Sequence, residues 1–385
     1  RILQNPKFSA ALATPPLWYH VPTFEAAGYT SQPETLEELL EALRKIKANN
    51  PDITPFGGNN DDFRILSPIL QSNGFVMRNP RWDFVAMKGG DYKTGELVFF
   101  KADSLYYEAL KYMNTLYTEG LMERDYYTMD INQLNAKLGD GQYAVIPQNN
   151  ANSMSDGDFQ NWRVMEPLTS EFNSVKIASD SAGAGGPSYY AYVTSNCENP
   201  EPFMRFMDVG YSKDYGYLFF YGPKAGVDDT YGKNQGWRMA EDGVTFEYLD
   251  VLDGTVAENN DYLGNISPFF AAYGLFDRRT DGSEMSNYTK DNKQGLATLE
   301  IFEKNAPYKI DAYDGGTFDA DTRTQINDLG DLFDEYIETE TAKFITGVRP
   351  LNDAEWASYV EMLKSLGMDE YMEIRQKAYD EQVIK

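Results

Sequence analysis

The chain contains one histidine, His20, and one cysteine, Cys197, among its 385 residues. A single cysteine permits no disulfide within the chain and no cysteine-based metal cluster, so Cys197 reads as a packing residue. Zinc centres and hydrolytic triads draw on histidine. His20 stands alone between Tyr19 and Val21, which sets those chemistries aside and leaves it as a surface or strand-end side chain. Basic residues are also scarce, with 34 Lys and Arg against 60 Asp and Glu, for a formal net charge of −26. A field of that sign repels phosphate backbones and anionic lipid surfaces, so nucleic acid is removed from the candidate partners. No stretch approaches the roughly twenty uninterrupted apolar residues that a membrane-spanning helix needs.

What is present is ordinary for a folded chain: 42% apolar and 24% charged residues argue against wholesale disorder. A length of 385 residues exceeds one core and fits two lobes with a cleft between them. Aromatic residues reach 14%, with 28 Tyr, 22 Phe and 5 Trp. Amphipathic rings suit a ligand that has both apolar and hydroxylated faces.

Periodicity places the elements. Leu36, Leu39, Leu40, Leu43 and Ile46 recur at helical spacing and predict an amphipathic helix over 34–47, entered at Pro33 and left at Asn49, Asn50 and Pro51. A second helix over 104–119 carries Leu105, Ala109, Leu110, Met113 and Leu116 and stops at Gly120. Short β-branched or aromatic runs at 97–100, 143–146 and 189–193 predict strands. Strands alternating with helices define an α/β fold. Further helices are predicted over 202–220, 324–346, 353–366 and 369–383, with Asp353 as an N-cap and Gly347 and Gly367 where helices end.

Two motifs fall short of function. Residues 226–234 resemble a phosphate-binding loop but have one residue too many, and Asn234 stands where Ser or Thr would hold magnesium. Asp314, Asp319 and Asp321 lack the twelve-residue calcium loop with its terminal glutamate and read as a helix-opening acidic cluster. Paired carboxylates remain, because a glycosidase needs only two of them. A carboxylate-dependent glycoside hydrolase is therefore the alternative function, and a surface adhesin or sensor the third.

The segment Leu17-Trp18-Tyr19-His20-Val21-Pro22-Thr23-Phe24-Glu25-Ala26-Ala27-Gly28-Tyr29, followed by Pro33-Glu34-Thr35-Leu36-Glu37-Glu38-Leu39, resembles the extracellular solute-binding proteins of bacterial carbohydrate ABC importers. Residues 342–347, then Trp356, Tyr359, Leu363 and residues 366–371, look like the tail of that family's lipoprotein branch, and residues 139–146 and 199–201 fall between them in family order. The resemblance implies a two-lobed periplasmic-binding-protein-like (Venus flytrap) fold with a hinge and an interlobe cleft. Only 16 residues precede Leu17, where the family has a domain-sized piece, so the N-terminal part of lobe one is expected to be missing together with any leader. The implied division is 1–13 and 163–224 for the remnant of lobe one, and 14–162 and 225–385 for lobe two.

The implied function is the capture of a sugar or oligosaccharide and its delivery to the transmembrane subunits of an ABC permease. The protein would then be an extracellular lipoprotein and a monomer, with no catalysis, no cofactor and no metal. A sugar needs aromatic platforms together with planar polar groups that hydrogen-bond hydroxyls. The expected ligand-binding residues are Asn60, Asp62 and Arg64 in the loop after the Gly57-Gly58 turn, Asn149 and Asn150 after the 143–146 strand, and Tyr189 and Tyr190 at the returning hinge strand. Trp18 and Trp237 are the candidate stacking platforms, while Trp356 is assigned to core.

Overall fold

A computed structural model of the chain describes residues 15–60, 65–149, 154–155, 157–180, 193–194, 196–209, 237–239, 246–248, 293–313 and 315–384. It divides into two compact units, residues 1–9 with 186–296 and residues 10–185 with 297–385.

The larger unit opens with β1 (Leu17–His20) and α1 (Val21–Ala26), whose first turn holds a proline that needs no hydrogen-bond partner there. In α2 (Leu36–Asn49) the Thr35 hydroxyl accepts from the Glu38 amide at 3.2 Å, and Leu36, Leu39, Leu43 and Ile46 form the buried stripe that the spacing predicts. There follow β2 (Thr54–Phe56), α3 (Leu66–Ser72), β3 (Phe75–Val76), β4 (Val85–Lys88) and β5 (Glu96–Phe99). Next come α4 (Ser104–Thr118), capped by Asp103, α5 (Ile131–Gly139), β6 (Tyr143–Pro147), β7 (Trp162–Val164) and β8 (Ala178–Asp180). The described elements of the smaller unit are α6 (Pro200–Val209) and the antiparallel pair β9 (Trp237–Met239) and β10 (Phe246–Tyr248).

The chain then runs through α7 (Lys293–Asn305) and β11 (Lys309–Asp311) to three helices, α8 (Ala320–Thr346), α9 (Asp353–Ser365) and α10 (Met368–Tyr379). The start of α8 lies four residues before the sequence expectation because Asp319 caps it, accepting from the Thr322 amide at 2.8 Å. The cap of α9 is Asn352, not Asp353: its side chain accepts from the Glu355 amide at 3.0 Å. Gly347 closes α8 with φ 78°, a left-handed conformation that suits glycine. The predicted helix over 202–220 is described as far as Val209, and the predicted strand 189–193 lies, apart from Val193, outside the described residues.

The main sheet has the order β2-β6-β1-β7. Edge strand β2 pairs with β6 in parallel, whereas β1 runs antiparallel to both neighbours. The β7 pairing, with Trp18 opposite Val164 and His20 opposite Trp162, ties residues after 162 to this unit. The parallel pair of β8 with β11 does the same for residues 178–180. Residues 162–164 and 178–180 are thus held in the larger unit by strand pairing.

A second, antiparallel sheet, β3-β4-β5, is covered by the C-terminal helices through Phe84, Phe99, Phe333 and Tyr371. Trp356 packs on Tyr359 with ring centroids 4.9 Å apart and against Phe344, in line with its assignment to core.

The C-terminal helices are also joined by charge. Glu340 on α8 is buried and accepts from Lys343 at 2.6 Å and from Arg349 at 2.7 Å, while Arg349 reaches Glu355 on α9 at 2.8 Å and lies over the Phe344 ring. Burial pushes the Glu340 carboxyl up, but the Lys343 and Arg349 bonds outweigh it and hold it below the usual glutamate range. Arg349→Ala would leave that buried carboxylate with a single exposed partner, and a loss of about 2 kcal/mol of unfolding free energy is expected, read from the urea midpoint.

Candidate functional site

Parallel strands deliver their following loops to one edge of a sheet, the edge at which open α/β folds bind ligands. β2 and β6 pair with Thr54 opposite Tyr143 and Phe56 opposite Val145, and the ladder continues one residue further through Gly57 N–H donating to the Val145 carbonyl at 2.8 Å. The loops that leave this edge begin at Gly57 and at Gln148. They carry Asn59 and Asn60 on one side and Gln148 and Asn149 on the other.

Each loop is fixed by its neighbours. The Asn60 amide donates to the Tyr126 carbonyl at 2.9 Å, and the Asn60 carbonyl accepts from Arg81 Nη1 at 3.4 Å. Asn59 is buried, with its Nδ2 donating to the Met129 carbonyl at 3.3 Å, and its Oδ1 has no hydrogen-bond partner among the described residues. The Gln148 amide donates to the Pro16 carbonyl at 3.1 Å, and the Gln148 carbonyl accepts from the Trp18 indole at 3.0 Å. Beneath the first loop Tyr126 and Tyr127 meet edge to face at 5.1 Å, and burial raises the Tyr127 hydroxyl far above the usual tyrosine range. That hydroxyl is buried without a hydrogen-bond partner among the described residues.

Two of the loops expected from the sequence leave this edge. Asn60 is half-buried and Asn149 exposed, one on each loop. Asp62, Arg64, Asn150, Tyr189 and Tyr190 lie outside the described residues. Trp237 is the first residue of β9, in the smaller unit.

Trp18 sits elsewhere than a stacking platform would. It is 0% exposed, packs on Phe159 at 6.2 Å and belongs to a core cluster with Ile146, Trp162 and Val164. The face of the sheet on which its ring lies is covered by Leu134, Met154 and Phe159. Sequence reasoning missed Asn59 and the Tyr126-Tyr127 doublet. A doublet of rings behind a polar turn was the available signal.

His20 lies at the opposite edge, where β6 begins. Its Nδ1 is 2.7 Å from Thr23 Oγ1 and its Nε2 is 3.2 Å from Asp158 Oδ1. Burial pushes the Asp158 carboxyl up, but bonds from Asn161, Trp162 and His20 prevail and hold it below the usual aspartate range. The histidine therefore ties the start of α1 to the turn before β7, a strand-end role. Among the described residues no three His, Cys, Asp or Glu side chains group as metal ligands, and no helix is long and apolar enough to cross a membrane.

An α/β scaffold that presents amide-bearing loops at the carboxyl edge of its parallel strands is the form of a ligand-binding protein. Residues 3–217, more than half of the chain, match the family described as bacterial extracellular solute-binding protein, and the chain belongs to that family.

Among individual proteins it is similar to the fructooligosaccharide ABC transporter substrate-binding protein FusA of Streptococcus pneumoniae. The two are 22% identical over 368 residues, which cover 91% of this chain and 62% of FusA. It is also similar to the lipoprotein LipO of Bacillus subtilis, 28% identical over 119 residues, which cover 30% of this chain and 22% of LipO. The chain therefore spans less than two thirds of these relatives. The structure of FusA in complex with kestose superposes with a TM-score of 0.69 at 19% identity, covering 99% of this chain and 74% of that one. An HMO-binding solute-binding protein from Bifidobacterium longum infantis gives 0.67 at 17% identity, covering 97% and 75%. These likenesses establish the solute-binding-protein fold.

Proposed function

We propose that the protein is the substrate-capturing subunit of a bacterial ABC importer, that it binds an oligosaccharide at the Asn60 and Asn149 edge of its main sheet, and that it hands this ligand to transmembrane permease subunits. The observation that carries the reading is the pair of loops at the carboxyl edge of β2 and β6, in a chain of the solute-binding family. Amide side chains both donate and accept, so they match hydroxyls that do the same. The functions of the relatives, fructooligosaccharide transport and HMO binding, support a carbohydrate ligand.

Asp62, Arg64, Asn150, Tyr189, Tyr190 and Trp237 are proposed to complete the contacts. Capture without bond cleavage is part of the proposal, as is an extracellular site of action with a lipoprotein anchor, in keeping with the LipO likeness. The protein is proposed to act as a monomer. Ligand contacts made only in a closed form would shift the population toward closure.

A thermal-shift screen of the purified protein against fructo-oligosaccharides and milk oligosaccharides tests this, because a ligand of the folded state raises its melting temperature. A shift with one glycan class, and recovery of that glycan intact after prolonged incubation, is the expected result. A glycan consumed during incubation would point to hydrolysis instead. Asn60→Ala and Asn149→Ala should each weaken binding about fivefold, the worth of one net hydrogen bond, as read by titration calorimetry. Unchanged affinity in both variants would remove this edge from the site.

A further inference from the structure

Of the tryptophans with described side chains, Trp18 and Trp162 are buried and Trp356 is packed against the core, but Trp82 is 61% exposed and takes part in neither hydrophobic cluster. An indole left in water forgoes the burial that ordinarily stabilises it, and the segment that carries it is not loose. The Asn79 and Asp83 backbones close a turn, with Asp83 N–H donating to the Asn79 carbonyl at 2.9 Å. The Asp83 carboxylate accepts from the Asn79 amide at 3.1 Å, and the Asn79 side chain accepts from the Arg81 amide at 2.9 Å.

Buried Lys101 donates to the Arg81 carbonyl at 3.1 Å and lies over the Phe84 ring, which anchors the turn to the β3-β4-β5 sheet. The Arg81 guanidinium covers one face of the indole at 4.9 Å and also donates to the Asn60 carbonyl. The result is a rigid, exposed ring, backed by a cation on one face and joined through Arg81 to a loop of the proposed site.

We infer that Trp82, supported by Arg81, is an outlying subsite that stacks on one sugar residue of an oligosaccharide whose other residues are held at the Asn60 and Asn149 loops. This rests on the carbohydrate reading above and assigns to one residue the preference for longer chains. A sugar ring presents a face of C–H bonds, which packs on an indole, and hydroxyls at its rim, which the free edge of a guanidinium can meet. The turn is held by its own hydrogen bonds, so little is lost in fixing it.

The test uses a ladder of fructo-oligosaccharides, from sucrose through kestose to nystose, and a second ladder of milk oligosaccharides, titrated into the wild-type protein and into Trp82→Ala and Trp82→Phe. Trp82→Ala is expected to weaken binding of the longest bound member about tenfold, the worth of one aromatic stack. The shortest bound member should be unaffected and Trp82→Phe should retain most of the affinity. The melting temperature should stay where it is, since the side chain is largely in water. Ligand binding should also shield one tryptophan of the wild type, but not of Trp82→Ala, from acrylamide quenching.

Equal weakening along the whole ladder, or none at any length, overturns the subsite. Wild-type binding with unchanged affinity in Trp82→Ala, but failed uptake in cells, would make the ring a contact for the permease and overturn it as well. If the wild type binds no member of either ladder, the carbohydrate reading itself falls and the subsite with it, which separates the two failures.

Discussion

Replacing Phe333 by alanine is expected to cost about 3–5 kcal/mol of folding stability, the range for removing a buried aromatic ring. Phe333 is 0% exposed and stands in the middle of α8. Its ring lies 5.4 Å from Phe84, 5.3 Å from Phe99 and 5.5 Å from Tyr371, each contact edge to face. Those partners come from the residue before β4, from β5 and from α10, so one side chain joins the second sheet to two C-terminal helices.

Truncation would leave a cavity that three aromatic neighbours, themselves in contact, cannot close by small shifts. Urea unfolding provides the measurement, with the midpoint falling and the slope unchanged if the native state keeps its compactness. Leu332→Ala is the control. That side chain is adjacent in sequence but 52% exposed, and its loss should stay within about 0.5 kcal/mol. Similar losses in both variants would show that the cost does not come from the aromatic cluster.

The sequence made the periodic parts of this architecture readable. The apolar stripe of α2 follows from spacing, because burial of one face imposes a period, and the strand at β6 follows from its β-branched and aromatic content. The Asn352 cap was less accessible. Asn352 and Asp353 are both good caps, and the choice between them depends on which backbone is extended at that point.

The position of β7 was not legible at all. Trp162–Val164 is three residues long, and nothing local tells such a strand which sheet it will join. Trp18 shows the same limit from the other side. A tryptophan in a recognisable motif is equally compatible with a platform and with a core, and it was the cover over its face of the sheet, from Phe159 and residues distant in sequence, that decided for the core. Trp82 was passed over because exposure, which makes it interesting, has no signature in a single sequence.

The candidate site was legible to the extent that it follows from strand direction. Two loops that leave parallel neighbours must emerge at one edge, and they were read from polar residues after a Gly-Gly turn in one case and after a short apolar strand in the other. What fixes those loops in place, the Tyr126 carbonyl, the Met129 carbonyl and Arg81, comes from segments distant in sequence and could not be inferred from the loops themselves.

The same coupling predicts that Gly57→Ala will damage the core and the site together. A β-carbon at Gly57 would fall 2.5 Å from the Tyr143 ring at its Cγ, far inside contact distance and against the stem of the ring, which has no freedom to swing clear. Two relaxations are available. The ring can move, which breaks the buried bond that the Tyr143 hydroxyl donates to Glu123 at 2.7 Å. Otherwise the strand end can move, which breaks the Gly57 bond to Val145 and shifts Asn59 and Asn60 with it.

Overpacking of this kind costs about 1–3 kcal/mol of stability, and a displacement of about 1 Å in loops that must hold several hydroxyls at once should weaken glycan binding by on the order of a hundredfold. Gly28→Ala serves as the comparison, since a β-carbon there meets nothing within 4 Å and any cost is confined to its positive φ of 88°. If Gly57→Ala loses stability but binds glycan as tightly as the wild type, the ring has moved and the loop has not, and the carboxyl edge of β2 is then not where the ligand is held.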